Sequence, residues 1–165
     1  MPSLVGSEMC IRDRCEEVDK MPETLKSGDF LSHGMWLKSV VTEDVILCGV
    51  SALEYMELFT GYLNERMIDV YAREKGIYQN INYNLVPDFR GIEYFTRNGL
   101  RCTSFTQTVN DMLHQIEETD DAALTEALAT YYFAHDESFQ GLCIFPENEA
   151  AFAKLASMAM AYYGG

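Results

Sequence analysis

The sequence predicts an α+β domain in which an antiparallel β meander packs against several amphipathic helices. Between residues 67 and 103 the apolar residues alternate, and Ile81, Tyr83 and Leu85 share one side of a segment with asparagines on the other. This alternation is typical of a strand with one solvated face. After residue 104 the apolar residues recur at helical spacing instead. The change of period therefore predicts strands followed by helices.

The first elements expected along the chain are a short helix, a strand and a second helix. The short helix is expected over residues 30–41. The apolar run 45–48, closed by a glycine, is consistent with a buried strand. Ser51 and Glu54 follow it with the spacing of a capping box, in which each side chain bonds the backbone N–H of the other. A helix is therefore expected over 52–59.

Strands are expected in the middle of the chain, over residues 67–72, 80–85, 92–96 and 100–103. The last two are joined by Asn98-Gly99. This dipeptide best satisfies the positive φ angles of a tight hairpin. Together these segments predict the antiparallel meander.

The clearest helix prediction covers residues 105–116. Ser104 and Gln107 have the spacing of a second capping box at its start. The apolar residues then recur at i, i+4, i+7, i+8 and i+11, as Phe105, Val109, Met112, Leu113 and Ile116. A further helix is expected to start at 119–121, where acidic residues suit the first turn.

The last expected helix runs over 146–163 and is apolar on more than one side. One stripe of this helix consists of Phe152, Leu155, Ala156 and Ala159. Met158, Met160 and Tyr162 lie outside the stripe. A helix that is apolar on most sides needs more than one neighbour, so these three residues are a candidate partner interface. The alternative is a C-terminal helix packed entirely into its own core.

The chain is strongly acidic, with 26 Asp and Glu residues against 12 Lys and Arg and a net charge of −14. Such a surface repels phosphates unless basic residues gather on one face, and no basic run is visible, which argues against nucleic acid binding by this fragment. No signal peptide or membrane span is expected. Cys48, Cys102 and Cys143 lie beside hydrophobic residues, where a free buried thiol is usual, so a cytoplasmic location is expected.

Residues 1–14 are expected to be disordered and to lie outside the folded domain. The stretch LVGSEMCIRDR within them follows neither helical nor strand spacing. When back-translated, it resembles an in-frame reading of a transposase adapter used in preparing sequencing libraries, so we treat 1–14 as an artefact. A native N-terminal tail is the alternative. The segment 15–29 is expected to be a lead-in or linker remnant, and 30–165 a single domain. An adapter joined directly to coding sequence also predicts that the gene was cut at its 5′ end.

No catalytic, cofactor or metal site is predicted. Gly49-Val50-Ser51 lies between a strand and a helix, as does the nucleophile elbow of hydrolases, but Leu53 replaces the second glycine of that motif and Ser51 is expected to cap a helix. Metal-ligand spacing is absent among the histidines, His33, His114 and His135. The sequence therefore predicts a protein that is not an enzyme. A hydrolase that uses Ser51 with His114 or His135 is the alternative from another class.

Thr108 and Asp111 lie three residues apart on the polar side of the helix expected over 105–116. Their side chains can hydrogen-bond to each other or to a neighbouring loop. One interpretation is that they lock this helix against the sheet, because most half-buried polar groups are simply satisfied ones. The other is a role that faces a partner.

The order of these features resembles the C-terminal domain of the AbiEi family, the antitoxins of type IV toxin–antitoxin systems. The likeness covers about residues 45–163 and is carried by GVSALEYMEL after a short strand, then MIDVYA, GLRCTSFTQTVNDML and the acidic TDDAALTEAL. The family has a Ser-Ala-Leu segment after a strand and a Thr-x-x-Asp pair early in a helix. These motifs are matched here by Ser51, Ala52, Leu53, Thr108 and Asp111.

The resemblance implies a non-enzymatic regulator that counteracts a nucleotidyltransferase-type toxin, and in the family often a transcriptional regulator that acts through an N-terminal winged helix. The sequence shows no winged-helix segment, so operator binding is carried over to no residue. Family members often have a basic residue before the motif threonine and a basic interaction surface, whereas this chain has Gln107 and is acidic. The alternative is a protein-interaction or oligomerisation module, for which a homo-oligomer is expected.

Overall fold

The computed structural model describes residues 40–41, 43–60 and 67–163. Its strands are β1 (Val45–Leu47), β2 (Ile68–Ala72), β3 (Ile81–Leu85), β4 (Tyr94–Arg97) and β5 (Leu100–Thr103). Its helices are α1 (Gly49–Tyr55), α2 (Phe105–His114), α3 (Asp121–Ala134) and α4 (Glu149–Met160), with a 3-10 turn over Pro146–Asn148 before α4. The segments 1–14 and 15–29 lie outside the described residues, as does most of the helix expected over 30–41.

The five strands form one mixed sheet in the order β3-β2-β1-β5-β4. β1 pairs with β2 and β4 with β5 in antiparallel fashion, whereas β2 runs parallel to β3 and β1 parallel to β5. The α+β class is therefore confirmed, but the sheet is not an antiparallel meander. Alternation of apolar residues fixes the face on which a side chain lies and carries no information on strand direction, which is why this part of the prediction is wrong.

The β4–β5 hairpin is the part of the meander that is confirmed. Arg97 pairs with Leu100 around the expected Asn98-Gly99 turn. Both turn residues have positive φ, 54° for Asn98 and 78° for Gly99. Asparagine and glycine tolerate this conformation better than other residues, so the turn chemistry sets the register of the two strands.

Of the helix starts predicted at residues 52, 105 and 119–121, the last two agree with the structure and the first does not. The Ser104 hydroxyl accepts a hydrogen bond from the Gln107 backbone N–H (3.1 Å), and the Asp120 carboxylate accepts one from the Ala123 N–H (2.9 Å). α1, however, begins at Gly49, so Ser51 lies inside its first turn and caps nothing. Gly49 has a φ of 56°, which lets the chain turn from β1 directly into the helix.

The core has two parts. One lies on the sheet and is formed by residues of β1, β2 and β5, among them Leu47, Val70 and Cys102. The other joins the helices and includes Leu53 of α1 and Leu128 of α3. α1 contributes to both and therefore connects the sheet to the helical layer.

α4 buries most of the apolar stripe that the sequence indicates. Its buried residues are Leu155, Ala156 and Ala159. Met158 is 52% exposed, Met160 44% and Tyr162 47%. The three residues of the predicted partner interface are therefore exposed, Met158 and Met160 in the last turn of α4 and Tyr162 in the turn that follows it.

Cys48 and Cys102 are buried free thiols, as expected, whereas Cys143 is exposed. Burial raises the pKa of the Cys102 thiol to about 12. Cys143 lies in the connection before α4, which the local run of hydrophobic neighbours did not reveal. No helix among the described residues is both long enough and apolar enough to cross a bilayer.

Candidate functional site

A polar cleft of about 560 Å³ opens where the start of α1, the strands β2 and β3, and the α2–α3 junction come together. We call it the polar cleft. Its polar lining comes mainly from alternate positions of the two strands and from the acidic ends of the helices. These lining residues are Asp69, Tyr71, Asn82, Asn84, Asp111, Gln115, Glu118, Thr119 and Asp120.

The first motif of the AbiEi resemblance supports the floor of this cleft. Ser51 is only 1% exposed, and its hydroxyl accepts a hydrogen bond from the Asp69 backbone N–H (2.8 Å). Ala52 and Leu53 are fully buried in the core. The hydroxyl of Ser51 thus holds β2 in place, and it is too enclosed in this structure for a substrate to reach it.

Thr108 of the second motif is also fully buried. Its hydroxyl donates a hydrogen bond to the Ser104 carbonyl (2.7 Å) and shares another with the Thr103 hydroxyl (2.7 Å). These bonds join the first turn of α2 to the end of β5. The geometry therefore favours the structural interpretation of Thr108.

Asp111 lines the cleft and bonds to β2, whereas Thr108 bonds to β5. Its Oδ2 accepts a hydrogen bond from the Tyr71 hydroxyl and its Oδ1 accepts one from the Gln107 amide, each at 2.8 Å. Gln107 is thus used by Asp111 and by the Glu93 backbone N–H (2.9 Å), rather than by the N–H of Ser104 as a full capping box requires. Asp111 connects α2 to β2 while it keeps a place on the cleft surface.

Asp69 is the second half-buried carboxylate of the cleft. Its Oδ1 accepts a hydrogen bond from the Asn82 amide (3.0 Å). Burial raises the pKa of Asp69 and of Asp111 above the ordinary aspartate value, because desolvation penalises the charged form. Burial and the hydrogen bond to Asp111 also raise the pKa of Tyr71, which therefore stays protonated as a donor.

The cleft is electronegative. Four carboxylates line it, those of Asp69, Asp111, Glu118 and Asp120, whereas no Lys, Arg or His does so among the described residues. The ion pairs found among the described residues involve Asp44 and Asp88, which do not line the cleft. A cationic group that entered the cleft would offset the free-energy cost of desolvating the Asp69 and Asp111 carboxylates and would form charge-assisted hydrogen bonds with them.

The hydrogen-bond acceptors of the cleft suit an arginine or lysine side chain. A guanidinium presents several N–H donors in a plane and can bond to carboxylate and amide oxygens together. The cleft supplies such oxygens from two aspartates and two asparagines. Over residues 40–41, 43–60 and 67–163, no three His, Cys, Asp or Glu side chains come together as metal ligands.

The sequence motifs and the cleft overlap only in part. Asp111 lines the cleft, Ser51 supports it from below, and Thr108 lies buried outside its lining. Asp69 and Tyr71 were not singled out, although they alternate with the apolar Ile68 and Val70 and so belong to the polar face of β2. The same alternation in β3 did place Asn82 and Asn84 on a solvated face.

The other candidate residues lie elsewhere. Met158 and Met160 near the end of α4, and Tyr162 just after it, are exposed and do not line the cleft. His135 stacks on the Tyr131 ring with the ring centroids 3.9 Å apart. His114 is exposed at the end of α2 and lines a neighbouring hollow. His33 lies outside the described residues. In the part of the chain that the structure describes, the Ser51 hydroxyl bonds to the Asp69 N–H and to no histidine.

The sequence was compared with known proteins. A scan against protein-family models finds no match, and a search of the curated proteins finds no significant match.

Proposed function

We propose that this domain is the partner-binding part of an AbiEi-like antitoxin that counteracts a nucleotidyltransferase-type toxin in the cytoplasm, without catalysis of its own. The observation that supports the proposal is that both motifs of the resemblance act on the same strand. Ser51 accepts the N–H of Asp69, and Asp111 accepts the hydroxyl of Tyr71. The motifs therefore shape one polar cleft, although they lie far apart in the chain.

The polar cleft gives this proposal a binding mode. Its carboxylates attract a positively charged segment of the toxin, and one arginine or lysine enters between Asp69 and Asp111. An acidic antitoxin that binds a basic partner gains a fast encounter as well as affinity, because opposite charges steer the approach. This mode replaces the basic interaction surface that the family often has.

Co-expression tests the proposal in cells. The full-length gene is expressed with the nucleotidyltransferase-type toxin encoded beside it in its source, and growth is measured. Wild type is expected to restore growth, whereas the double variant D69N/D111N is expected to lose most of the protection because it removes both half-buried charges of the cleft.

The matched control is D136N/E137Q. It removes the same two negative charges from an exposed turn after α3, at the end of that helix away from Asp120. Full protection by this control would show that position matters rather than net charge. If wild type itself gives no relief of growth arrest, the antitoxin proposal fails.

A protein-interaction or oligomerisation module is the second candidate, favoured by the exposed face of α4. Met158, Met160 and Tyr162 form with Tyr163 a run of large apolar side chains on the surface, each more than two fifths exposed. Exposed apolar patches often mark interaction sites.

For this second candidate, M158E/M160E is expected to dissolve an assembly that light scattering detects in wild type. Two glutamates would place desolvated charges in the interface. Because neither methionine contributes to the buried stripe of α4, the melting temperature should change little. An unchanged mass in the variant would count against this function.

A further inference from the structure

The outer edge of the sheet at β4 has the features of a self-complementary interface. β4 is the last strand in the order β3-β2-β1-β5-β4, and β5 is its partner in the described sheet. Tyr94 is 42% exposed, and Thr96 and Arg97 are exposed as well. An edge strand presents a row of backbone N–H and C=O groups with which another strand can pair.

The direction of these groups follows from the hairpin. The backbone N–H of Ser104 donates to the carbonyl of Glu93 (3.0 Å), so residue 93 bonds towards the β5 side. Bonding direction alternates along an antiparallel strand. Phe95 and Arg97 therefore also bond to β5, whereas Tyr94 and Thr96 direct their N–H and C=O groups outwards.

We propose that β4 pairs with β4 of a second copy of this chain, in antiparallel fashion and centred on Phe95. In this register Tyr94 of each copy exchanges two backbone hydrogen bonds with Thr96 of the other. Phe95 then faces Phe95 of the second copy. At each end of the pairing, Glu93 faces Arg97 of the second copy.

Charge selects this register over its neighbours. A shift by two residues keeps the outward groups of Tyr94 and Thr96 available. It also places Glu93 and Arg97 opposite Phe95 or a glycine of the second copy. Opposite charges directly across two strands stabilise their pairing. The register centred on Phe95 is therefore the favoured one.

The side chains on this face are already arranged as an interface. The Arg97 guanidinium lies over the rings of Tyr55 and Phe95, with centroid distances of 4.9 Å and 5.3 Å. The two rings stack on each other at 6.5 Å, and the Tyr55 hydroxyl donates to the Arg97 carbonyl (3.0 Å). Aromatic residues and arginine are enriched in protein interfaces, where they anchor the contact.

This edge of the sheet carries few of the chain's many carboxylates. Residues 90–101 contain three arginines and a single glutamate, in a chain with a net charge of −14. Two copies that meet here keep their acidic residues apart. This surface is separate from the polar cleft, so the inference does not depend on the proposed function.

Sedimentation velocity of the full chain over a wide concentration range tests the proposal. Wild type is expected to dimerise. E93R and R97E each place like charges opposite one another at both ends of the interface. For each variant alone, the dissociation constant of the dimer is therefore expected to rise by at least roughly tenfold. In an equimolar mixture of E93R and R97E the opposite charges face each other again, and dimerisation near the wild-type affinity is expected.

The recovery in the mixture separates a lost interface from a lost fold, because misfolded chains would not regain a dimer on mixing. T96P is a second probe: it removes an outward N–H and leaves the bonds to β5 untouched. M158E/M160E changes the separate surface at the end of α4, so it should remove any assembly held there while the mass stays at or above that of the β4 dimer. The proposal is overturned if wild type stays monomeric, if either single reversal dimerises as wild type does, or if the mixture stays monomeric.

Discussion

Replacing Asn110 by alanine is expected to lower the free energy of unfolding by about 3 kcal/mol. Asn110 is 2% exposed and lies on α2. Its amide N–H groups donate to the carbonyls of Thr106 and Cys143, both at 2.8 Å. Its carbonyl oxygen accepts from the Phe145 N–H (2.8 Å) and from the Asn148 amide (3.0 Å). One side chain thus joins α2 to the connection that leads into α4.

The size of the effect follows from what the alanine leaves behind. Each buried polar group that loses its partner costs about 1–3 kcal/mol, and several groups would lose theirs at once. Urea denaturation measures the change. N82A is the control, because Asn82 is exposed and makes one hydrogen bond to Asp69, so less than about 1 kcal/mol is expected for it. If N110A lowers the free energy of unfolding no more than N82A does, the hydrogen bonds of Asn110 do not hold the segment before α4 in place.

The example of Asn110 shows why some of the structure could not be predicted. On a helical wheel its position belongs to the polar side of α2, and the sequence offered no reason to bury it. Its partners Cys143, Phe145 and Asn148 follow more than thirty residues later. Local spacing identifies a helix and its apolar stripe, but it cannot show that a later loop folds over the polar side.

The predictable part of the fold rests on local chemistry. The Asn98-Gly99 turn, the cap at Ser104 and the apolar stripe of α4 are each fixed by residues within a few positions of one another. The parallel pairing of β2 with β3 is a different case. Ile68 pairs with Ile81 because the short connection returns the chain to the start of β2, and no alternation pattern encodes that path.

The candidate site was predictable to the same limited extent. Thr108 and Asp111 were selected by their helical spacing, yet they turn to different strands: Thr108 bonds with Thr103, whereas Asp111 bonds with Tyr71. Asp69 was missed because a single aspartate in an alternating strand is ordinarily a solvated residue. Asp69 is half-buried because the start of α1 packs against β2 here, with Gly49 beside its carboxylate and Ser51 bonded to its backbone N–H.

The two aspartates of the cleft link binding to stability. Burial raises the folded-state pKa of Asp69 and of Asp111 above the ordinary value of 3.8. Their contribution to stability is therefore fully present below about pH 3.8 and is lost as the pH rises through the raised pKa values, where both must ionise in a desolvated place. Where both carboxylates are ionised, the free domain carries two desolvated charges that destabilise it. Desolvated negative charges that lower the stability of the free domain are typical of a site that binds a cationic group.

Under the proposed function, the variant D69N/D111N is expected to weaken binding of the toxin roughly 100-fold, a loss of about 2.7 kcal/mol, since truncating a buried charge pair typically costs about 2–5 kcal/mol. The same variant should be at least as stable as wild type at pH 7, because the asparagines carry no charge to desolvate. Its advantage should fall as the pH is lowered through the raised pKa values of the wild-type aspartates. Calorimetric titration with the toxin and urea denaturation between pH 4 and pH 8 measure the two effects.

The opposite signs of these effects decide between a binding and a merely structural role. If Asp69 and Asp111 only held the sheet and α2 together through Asn82 and Tyr71, their replacement would lower stability and binding in parallel. If they bind a cation of the partner, affinity falls while stability does not. D136N/E137Q, with the same change of net charge, should leave both quantities near wild type. An equal loss of affinity in that control would assign the attraction to overall charge, and the cleft would lose its role.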